Sequence, residues 1–345
     1  MQILESTLLT GPYDWDEQKL PRSEFAARLE RVRAAMSRAG AAALIVHGDP
    51  RNYGALAYLT GFTPKLGATL ALVLPEGPLH IFAPGTPKMM DIAKRLTWVE
   101  DVTPIGNAPK RTAESLGDGK TLATWAFDTL PQSIYNDIVK AIAPRALMPL
   151  DAELDPMRRR KSPCELALMR DAARFLTAAT DAFAANIRTG HGARSAGLAA
   201  ERAAIAAGAQ DARAMTSLSA GGAPLPLDAA SDDRTLDPVN VGIAVQNHGY
   251  WASGYVTVSS DPAASAKARN ALANALAAAK GGAKLPGGIV ANAIGIELEE
   301  ASGASLEAGE VYAVTSKATE GGTTAYASAL IAVTENGCET LWQGP

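Results

Sequence analysis

Residues 249–258, GYWASGYVTV, bring hydroxyl and aromatic side chains together on one short segment that the turn sequence QNHG introduces. Valine, threonine and aromatic residues are typical of strands, and the strand-like run VGIAVQ before the turn predicts a β-hairpin. Because side chains alternate along a strand, Trp251, Ser253 and Tyr255 share one face. No aspartate or glutamate occurs in residues 238–260. The hairpin therefore offers hydroxyl groups and aromatic surfaces to a ligand, but no carboxylate.

Each of these side chains has a functional and a structural interpretation. His248 falls in the predicted turn, where a histidine is usually exposed, although a histidine also titrates close enough to neutral pH to transfer protons. Trp251 and Tyr255 either fill space inside the domain or form an aromatic surface for an apolar or cationic ligand. The residues alone leave these alternatives open.

The composition is that of an ordinary soluble chain: 47% of the 345 residues are hydrophobic, 20% are charged, and the formal net charge is −4. Mild acidity disfavours a nucleic-acid partner. No apolar run reaches the ~20 residues of a membrane span, and the first 25 residues lack the pattern of a signal peptide. Cys164 and Cys338 are the only cysteines. They make neither a disulfide framework nor a zinc pattern, which favours a reducing, cytoplasmic location.

The chain is long enough for two domains, and its pattern changes near residue 155. Residues 1–155 alternate helical and strand-like runs, among them a helix capped by Ser23, a buried strand at 42–46 and a helix at 133–142. Such alternation predicts a mixed α/β domain. Three prolines between residues 144 and 156 mark its end.

Residues 156–345 predict an α+β domain. Its first helix begins in KSPCELALMRDAA, where Ser162 and Glu165 form a capping box around a proline at the first helical position. A second helix covers about 194–207 and ends at Gly208. The hairpin, an alanine-rich helix and the strands VYAVTS and ALIAVTENG follow.

Several segments, in this order along the chain, resemble the aminopeptidase P, prolidase and creatinase family. They are RLERVRAAMSRAGAAALIV, DPRNYGALAYLTGF, RRRKSPCELALMRDAA, NHGYWASGYV, SLEAGEVYAVTS and LIAVTENG. The resemblance implies an α/β N-terminal creatinase-like domain followed by an α+β pita-bread C-terminal domain. It also implies a dimer in which the loop DPRNYG reaches toward the neighbouring subunit's pocket.

Peptidases of this family hold two divalent metals with two Asp, one His and two Glu, because paired cations need carboxylates to offset their charge. Anchored on the sequence GYW of the hairpin, the resemblance carries these ligands, in chain order, onto Gly242, Ser253, Asn292, Thr315 and Ser328. All five are neutral, and hydroxyl or amide groups supply too little charge for a dinuclear site. We therefore expect no metal and no cofactor.

The metal-free chemistry of creatinases is not carried over either. The position of their catalytic histidine corresponds to Leu227, and a second family histidine corresponds to Glu299. No histidine accompanies the nearby acids, which favours solvated loop charges over a new metal site; these acids are Asp228, Asp232, Asp233, Glu297, Glu299 and Glu300. Lys317 faces the same side of its strand as Thr315. It either holds an anionic ligand in place of the lost metals or lies exposed at the strand end.

Two functions remain. We favour a catalytically silent protein that binds a small polar ligand or acts as a partner subunit, as a homodimer or as a heterodimer with an active paralogue. The alternative is an enzyme, a metal-independent hydrolase or lyase acting on a C–N bond of a small amide, amidine or amino-acid-like substrate. No catalytic residue is assigned. The candidate ligand-binding residues are His248, Trp251, Ser253, Tyr255, Asn292, Glu299, Thr315, Lys317 and Ser328.

Overall fold

The computed structural model describes residues 14–116, 121–230, 232–301 and 303–345. The chain divides into an N-terminal unit, residues 1–158, and a C-terminal unit, residues 159–345. Among the described residues, no helix has both the length and the apolar character of a membrane span. The signal-peptide prediction depends on the first 25 residues, of which 1–13 lie outside the described part.

The N-terminal unit alternates helices and strands, as its sequence pattern predicts. Its elements are α1 (Arg22–Arg38), β1 (Ala41–Gly48), α2 (Gly54–Thr60), β2 (Thr69–Val73), β3 (His80–Ala83), α3 (Pro87–Ala93), β4 (Asp101–Pro104), α4 (Ala108–Leu116), β5 (Thr121–Trp125), α5 (Gln132–Ile142), β6 (Leu147–Pro149) and α6 (Asp151–Arg159). The strands form one mixed sheet in the order β4-β3-β2-β1-β5-β6. Strand β1 is buried along its whole length, as a central strand covered on both faces should be.

The cap predicted for α1 at Ser23 is wrong. The helix begins two residues earlier than a cap at Ser23 would place it, at Arg22, and Pro21 occupies the N-cap position without any side-chain hydrogen bond. Proline fixes its own φ, here −70°, so the chain enters the helix without a capping hydroxyl. The apolar face predicted for α1 is confirmed, because Phe25, Val32 and Met36 are buried.

The C-terminal unit begins with two helices and continues mainly as antiparallel strands. Its elements are α7 (Pro163–Arg188), α8 (Ala193–Ala207), β7 (Asp211–Ser217), β8 (Pro224–Pro226), β9 (Val239–Asn247), β10 (Tyr250–Val258), α9 (Ala266–Ala278), β11 (Ile289–Ala293), β12 (Val311–Glu320), β13 (Thr323–Val333) and β14 (Cys338–Gln343). The strands form two sheets, in the orders β10-β9-β7-β8 and β11-β12-β13-β14. The α+β prediction is confirmed.

The two sheets meet where β10 lies beside β13. The Tyr255 amide donates a hydrogen bond to Ser328 Oγ at 2.9 Å, and the Tyr326 amide donates to Thr257 Oγ1 at 2.7 Å. Side-chain hydroxyls therefore join β10, an edge strand of its sheet, to β13 of the other sheet, without a backbone ladder between them. This seam holds the hairpin of β9 and β10 in a fixed position relative to β12 and β13.

Helix α7 fixes the other end of the hairpin. The predicted capping box is confirmed: Ser162 Oγ accepts from the Glu165 amide at 3.2 Å, and Glu165 Oε2 accepts from the Ser162 amide at 2.8 Å. The second carboxylate oxygen of Glu165 accepts from the Tyr250 hydroxyl at 3.0 Å. Asn247 Nδ2 donates to the Leu168 carbonyl at 3.0 Å. The helix start and the hairpin tip are thus one hydrogen-bonded cluster.

Candidate functional site

The predicted hairpin forms, and its turn sets the register of the site. His248 and Gly249 have φ values of 47° and 86°, the positive values that a two-residue type I′ turn requires. Asn247 therefore pairs with Tyr250, and further from the turn Tyr255 pairs with Gly242. On the antiparallel pair, Ser253 lies diagonally across from Gly242 on the same face, because each is two residues from the other's partner. The first two positions that the resemblance assigns to metal ligands are neighbours.

A cavity of about 600 Å³ opens against this face of the hairpin. It lies between α8, strands β7 to β11 and the loop after β11, and most of its wall is apolar. The lining residues are Arg194, Leu198, Glu201, Arg213, Ala214, Met215, Pro226, Leu227, Asp228, Gly242, Ile243, Ala244, Ser253, Tyr255, Asn292, Leu298 and Glu299. A volume of this size falls in the range of small-molecule sites.

The aromatic ring of Tyr255 covers the backbone of Gly242. A Cβ atom on residue 242 would lie 2.8 Å from Tyr255 Cδ1 and closer still to Cε1. Carbon atoms in contact lie about 3.5–4.0 Å apart, so no side chain of any kind fits at residue 242 while the ring stays in place. The ring also packs against Tyr326, whose ring centroid is 5.7 Å away. The space that the resemblance assigns to the first metal-binding aspartate is therefore filled by tyrosine.

The two positions that the resemblance assigns to glutamates carry hydroxyls that satisfy each other. Thr315 and Ser328 are directly paired on β12 and β13, and their hydroxyl oxygens are 2.8 Å apart. Ser328 is fully buried and also accepts the amide of Tyr255. A hydrogen-bonded pair of neutral groups thus occupies the sheet seam, and it carries no charge to attract a cation.

The donor set does not fit the dinuclear metal centre that the fold implies. One of the five positions has no side chain, and the others carry two serines, a threonine and an asparagine. Hard divalent cations need carboxylates to offset their charge and dehydration. Within the described residues, no cluster of three His, Cys, Asp or Glu side chains could hold a metal ion. The side chains at these five positions therefore do not supply the carboxylate ligands that a dinuclear centre needs.

Several acids near the cavity already have structural partners. Glu300 is buried and forms an ion pair with Lys161, also buried, at 2.7 Å. Asp232 accepts hydrogen bonds from the Ser195 amide and hydroxyl, and Asp233 accepts from Thr235. Glu300 is therefore an exception to the prediction that most of these acids are solvated loop charges, because the turn after β11 folds it inward onto Lys161.

The structure brings together four of the nine candidate binding residues in the cavity lining; these are Ser253, Tyr255, Asn292 and Glu299. Thr315 and Ser328 lie behind them in the sheet seam. Trp251 is buried, and the Arg213 guanidinium lies 5.1 Å from the centre of its ring. His248 lies at the hairpin turn and Lys317 is exposed on β12, and neither lines the cavity.

Sequence reasoning missed the wall formed by α8 and β7, which supplies Leu198, Glu201, Arg213 and Met215. A signal for part of it exists in the sequence. Leu198 and Glu201 are three residues apart and therefore share a face of the helix. Nothing local in the sequence indicates that this face turns toward the hairpin.

Burial and one nearby carboxylate set the electrostatics of the cavity floor. Burial raises the pKa of the Tyr255 hydroxyl, and the negative charge of Glu299 raises it further. Burial also raises the pKa of Tyr326, with a smaller contribution from Tyr255. Both tyrosines are therefore neutral at physiological pH and present uncharged aromatic faces.

Comparison with known proteins agrees with this architecture. Residues 28–160 match the Creatinase/Prolidase N-terminal domain family. The prolidase from Pyrococcus horikoshii superposes with a TM-score of 0.74 at 19% identity, covering 91% of this chain and 97% of that one. The Xaa-Pro dipeptidase from Bacillus anthracis gives 0.70 at 18% identity, with 93% and 98% covered. Aminopeptidase P from E. coli gives 0.73 at 15% identity, with 93% and 94% covered. No curated protein matches the sequence significantly.

These matches define a protein with a creatinase-like N-terminal unit and a pita-bread C-terminal unit. Residues 28–160 belong to the Creatinase/Prolidase N-terminal domain family, and the chain as a whole has the fold of prolidases and aminopeptidases P. The family resemblance found in the sequence is confirmed to this extent.

Proposed function

We propose that this chain is a catalytically silent, small-molecule-binding member of its family and not a metallopeptidase. The observation that carries the proposal is the ring of Tyr255 lying on Gly242, because it fills the position of a metal ligand with an aromatic group. The uncharged Thr315–Ser328 pair supports the same conclusion from the opposite sheet. The cavity itself is retained, with a volume of about 600 Å³.

The alternative of a metal-independent hydrolase or lyase finds less support in the geometry. A serine nucleophile needs an adjacent base to accept its proton. Ser253 makes no side-chain hydrogen bond to such a base among the described residues, and the described lining contains no histidine, lysine or cysteine. His248, the one histidine proposed for proton transfer, lies at the turn outside the lining.

Metal content and peptidase activity together test the proposal. The purified full chain is incubated separately with Mn²⁺, Co²⁺ and Zn²⁺, desalted and analysed by mass spectrometry for bound metal. It is then assayed on an Xaa-Pro dipeptide, with the Xaa-Pro dipeptidase from Bacillus anthracis as the positive control. We expect no stoichiometric metal and no cleavage. Two metals per chain, or cleavage that a chelator abolishes, would overturn the proposal.

We also propose a homodimer, which the family resemblance implies. Light scattering coupled to size-exclusion chromatography tests it without any variant. We expect twice the 35.8-kDa mass of one chain. A mass equal to that of one chain would contradict this part of the proposal and leave the binding function untouched.

A further inference from the structure

One of the two arginines of the cavity lining, Arg213, is already paired with a carboxylate. Arg213 donates to Asp211 Oδ2 from Nε at 3.1 Å and from Nη2 at 2.7 Å. Hydrogen bonds from Ser195 lower the pKa of Asp232, and the positive charge of Arg194 lowers it further. The lining therefore carries two guanidinium groups, of which Arg213 is paired with an acid, against the three carboxylates of Glu201, Asp228 and Glu299.

Three further carboxylates of the lining form no ion pair with a positively charged side chain in the described part of the chain. Glu201 Oε1 accepts the amide of Ala214 at 2.9 Å, which satisfies one oxygen but leaves the charge. Asp228 and Glu299 are exposed and make no hydrogen bond or ion pair with any residue in the described part of the chain. The field of Glu299 reaches the cavity floor, since it acts on the Tyr255 hydroxyl. The cavity is thus electrically negative.

The remaining wall is apolar and partly open to solvent. Leu198 keeps 39% of its surface exposed although it is a leucine on a helix that packs against β7. Met215, Leu227, Ile243 and Leu298 continue the apolar surface around the cavity. A fully polar ligand would leave this wall against water, whereas an apolar group would cover it.

From these features we infer that the cavity binds an apolar molecule carrying a single cationic nitrogen, of the aryl-alkylamine type. The inference rests on the proposed binding function. It specifies that the small ligand is amphipathic, with an apolar body and a charged head group. The apolar body covers the leucine and methionine wall, and the ammonium group lies near Glu299 and the face of Tyr255, where a carboxylate and an aromatic ring both attract a cation. An anionic ligand of the same shape is repelled by Glu201, Asp228 and Glu299.

Three ligands that differ only in their head group test the charge preference. Binding of 4-phenylbutylamine, 4-phenylbutanol and 4-phenylbutyrate to the full chain is measured by calorimetry at pH 7.5. We expect the amine to bind more tightly than the alcohol by about fivefold, the effect of one partly exposed charge pair, and the carboxylate to bind most weakly.

Two variants and one matched control assign the effect to the cavity. Glu299→Gln should weaken the amine by about fivefold and leave the alcohol unchanged. Glu30→Gln removes the same charge from an exposed position on α1 and should change neither ligand. Ala244→Trp places a large ring in the cavity and should remove binding of both the amine and the alcohol.

The outcomes separate the ligand class from the binding function. Equal affinity for amine and alcohol, or tighter binding of the carboxylate, overturns the ligand class while the binding function stands. If Ala244→Trp leaves binding intact, the ligand binds outside this cavity, and the assignment of the binding site to the cavity is overturned. If none of the three ligands binds at millimolar concentration, the ligand class is overturned, whereas the metal and peptidase assays test the proposed function separately.

Discussion

Replacing Gly242 with alanine tests the contact between β9 and the ring of Tyr255 directly. The new Cβ would lie 2.8 Å from Tyr255 Cδ1, well inside the 3.5–4.0 Å or so at which carbon atoms attract each other. The ring of Tyr326 packs against it in a tilted arrangement, with the centroids 5.7 Å apart, so the Tyr255 ring cannot move away without disturbing a second aromatic group. Overpacking of this kind costs about 1–3 kcal/mol. We expect Gly242→Ala to lower the free energy of unfolding of the C-terminal unit by that amount.

The same substitution should behave differently once the ring is removed. In a Tyr255→Ala background the overlap disappears, and alanine at residue 242 should be neutral or stabilise by up to about 1 kcal/mol, because it restricts the unfolded chain. The two substitutions are therefore coupled by about 1–3 kcal/mol. Unfolding in urea, followed by hydrogen exchange of peptides from β9 and β10, reports on this unit alone, since a two-unit chain need not unfold in one step.

Gly337→Ala is the matched control, because a Cβ atom there meets no other atom within 4 Å. Its effect should stay within about 0.5 kcal/mol and be equal in both backgrounds. Additive effects of Gly242→Ala and Tyr255→Ala would refute the reasoning, since they would mean that the ring does not occupy the space above residue 242.

Three further predictions concern stability. Lys161→Met leaves the buried carboxylate of Glu300 without its partner at 2.7 Å. It should lower the free energy of unfolding in urea by about 3–5 kcal/mol, and adding Glu300→Leu should recover most of that loss. An equal loss of stability in the single and the double variant would contradict the pairing. Burial lowers the pKa of His47 below its usual 6.5, although a hydrogen bond to the Ala126 carbonyl opposes the shift. As the pH falls, the unfolded chain therefore takes up the proton first. The contribution of neutral His47 to stability should be complete above about pH 6.5 and should fall as the pH drops below that value. His47→Gln should flatten the pH dependence of stability between pH 7 and pH 5, and an unchanged slope would contradict this role of His47. Ser162→Ala removes the N-cap of α7 and should cost about 0.5–2 kcal/mol, seen as faster hydrogen exchange in the first turn of that helix; unchanged exchange would contradict the role of the cap.

Local chemistry made parts of the fold predictable. The capping box of Ser162 and Glu165 uses groups three residues apart, and the hairpin turn at 248–249 uses adjacent ones, so a short stretch of sequence contains the whole interaction. The predicted start of α1 is wrong because two local rules compete there. Ser23 is a good capping residue, but Pro21 already fixes the entry of the helix.

For the site, the sequence predicted only that the five positions assigned to metal ligands carry no charged side chain. The resemblance supplied the register from which the neutral positions follow, but it could not show what fills the vacated space. The turn at 248–249 pairs Asn247 with Tyr250, and counting outward from it pairs Gly242 with Tyr255. That pairing was available from the sequence; the orientation of the ring was not. The wall of α8 and β7 depends on how a helix packs against a sheet, which no local pattern contains.

The contact between Gly242 and Tyr255 opposes any single substitution that would introduce a metal ligand at residue 242. An aspartate regained at residue 242 alone would meet the tyrosine ring, and loss of the ring alone would leave an uncharged hole above a glycine. Neither single step restores a ligand. A dinuclear site on this strand pair would need both changes at once, with carboxylates on the Thr315 and Ser328 side of the seam as well.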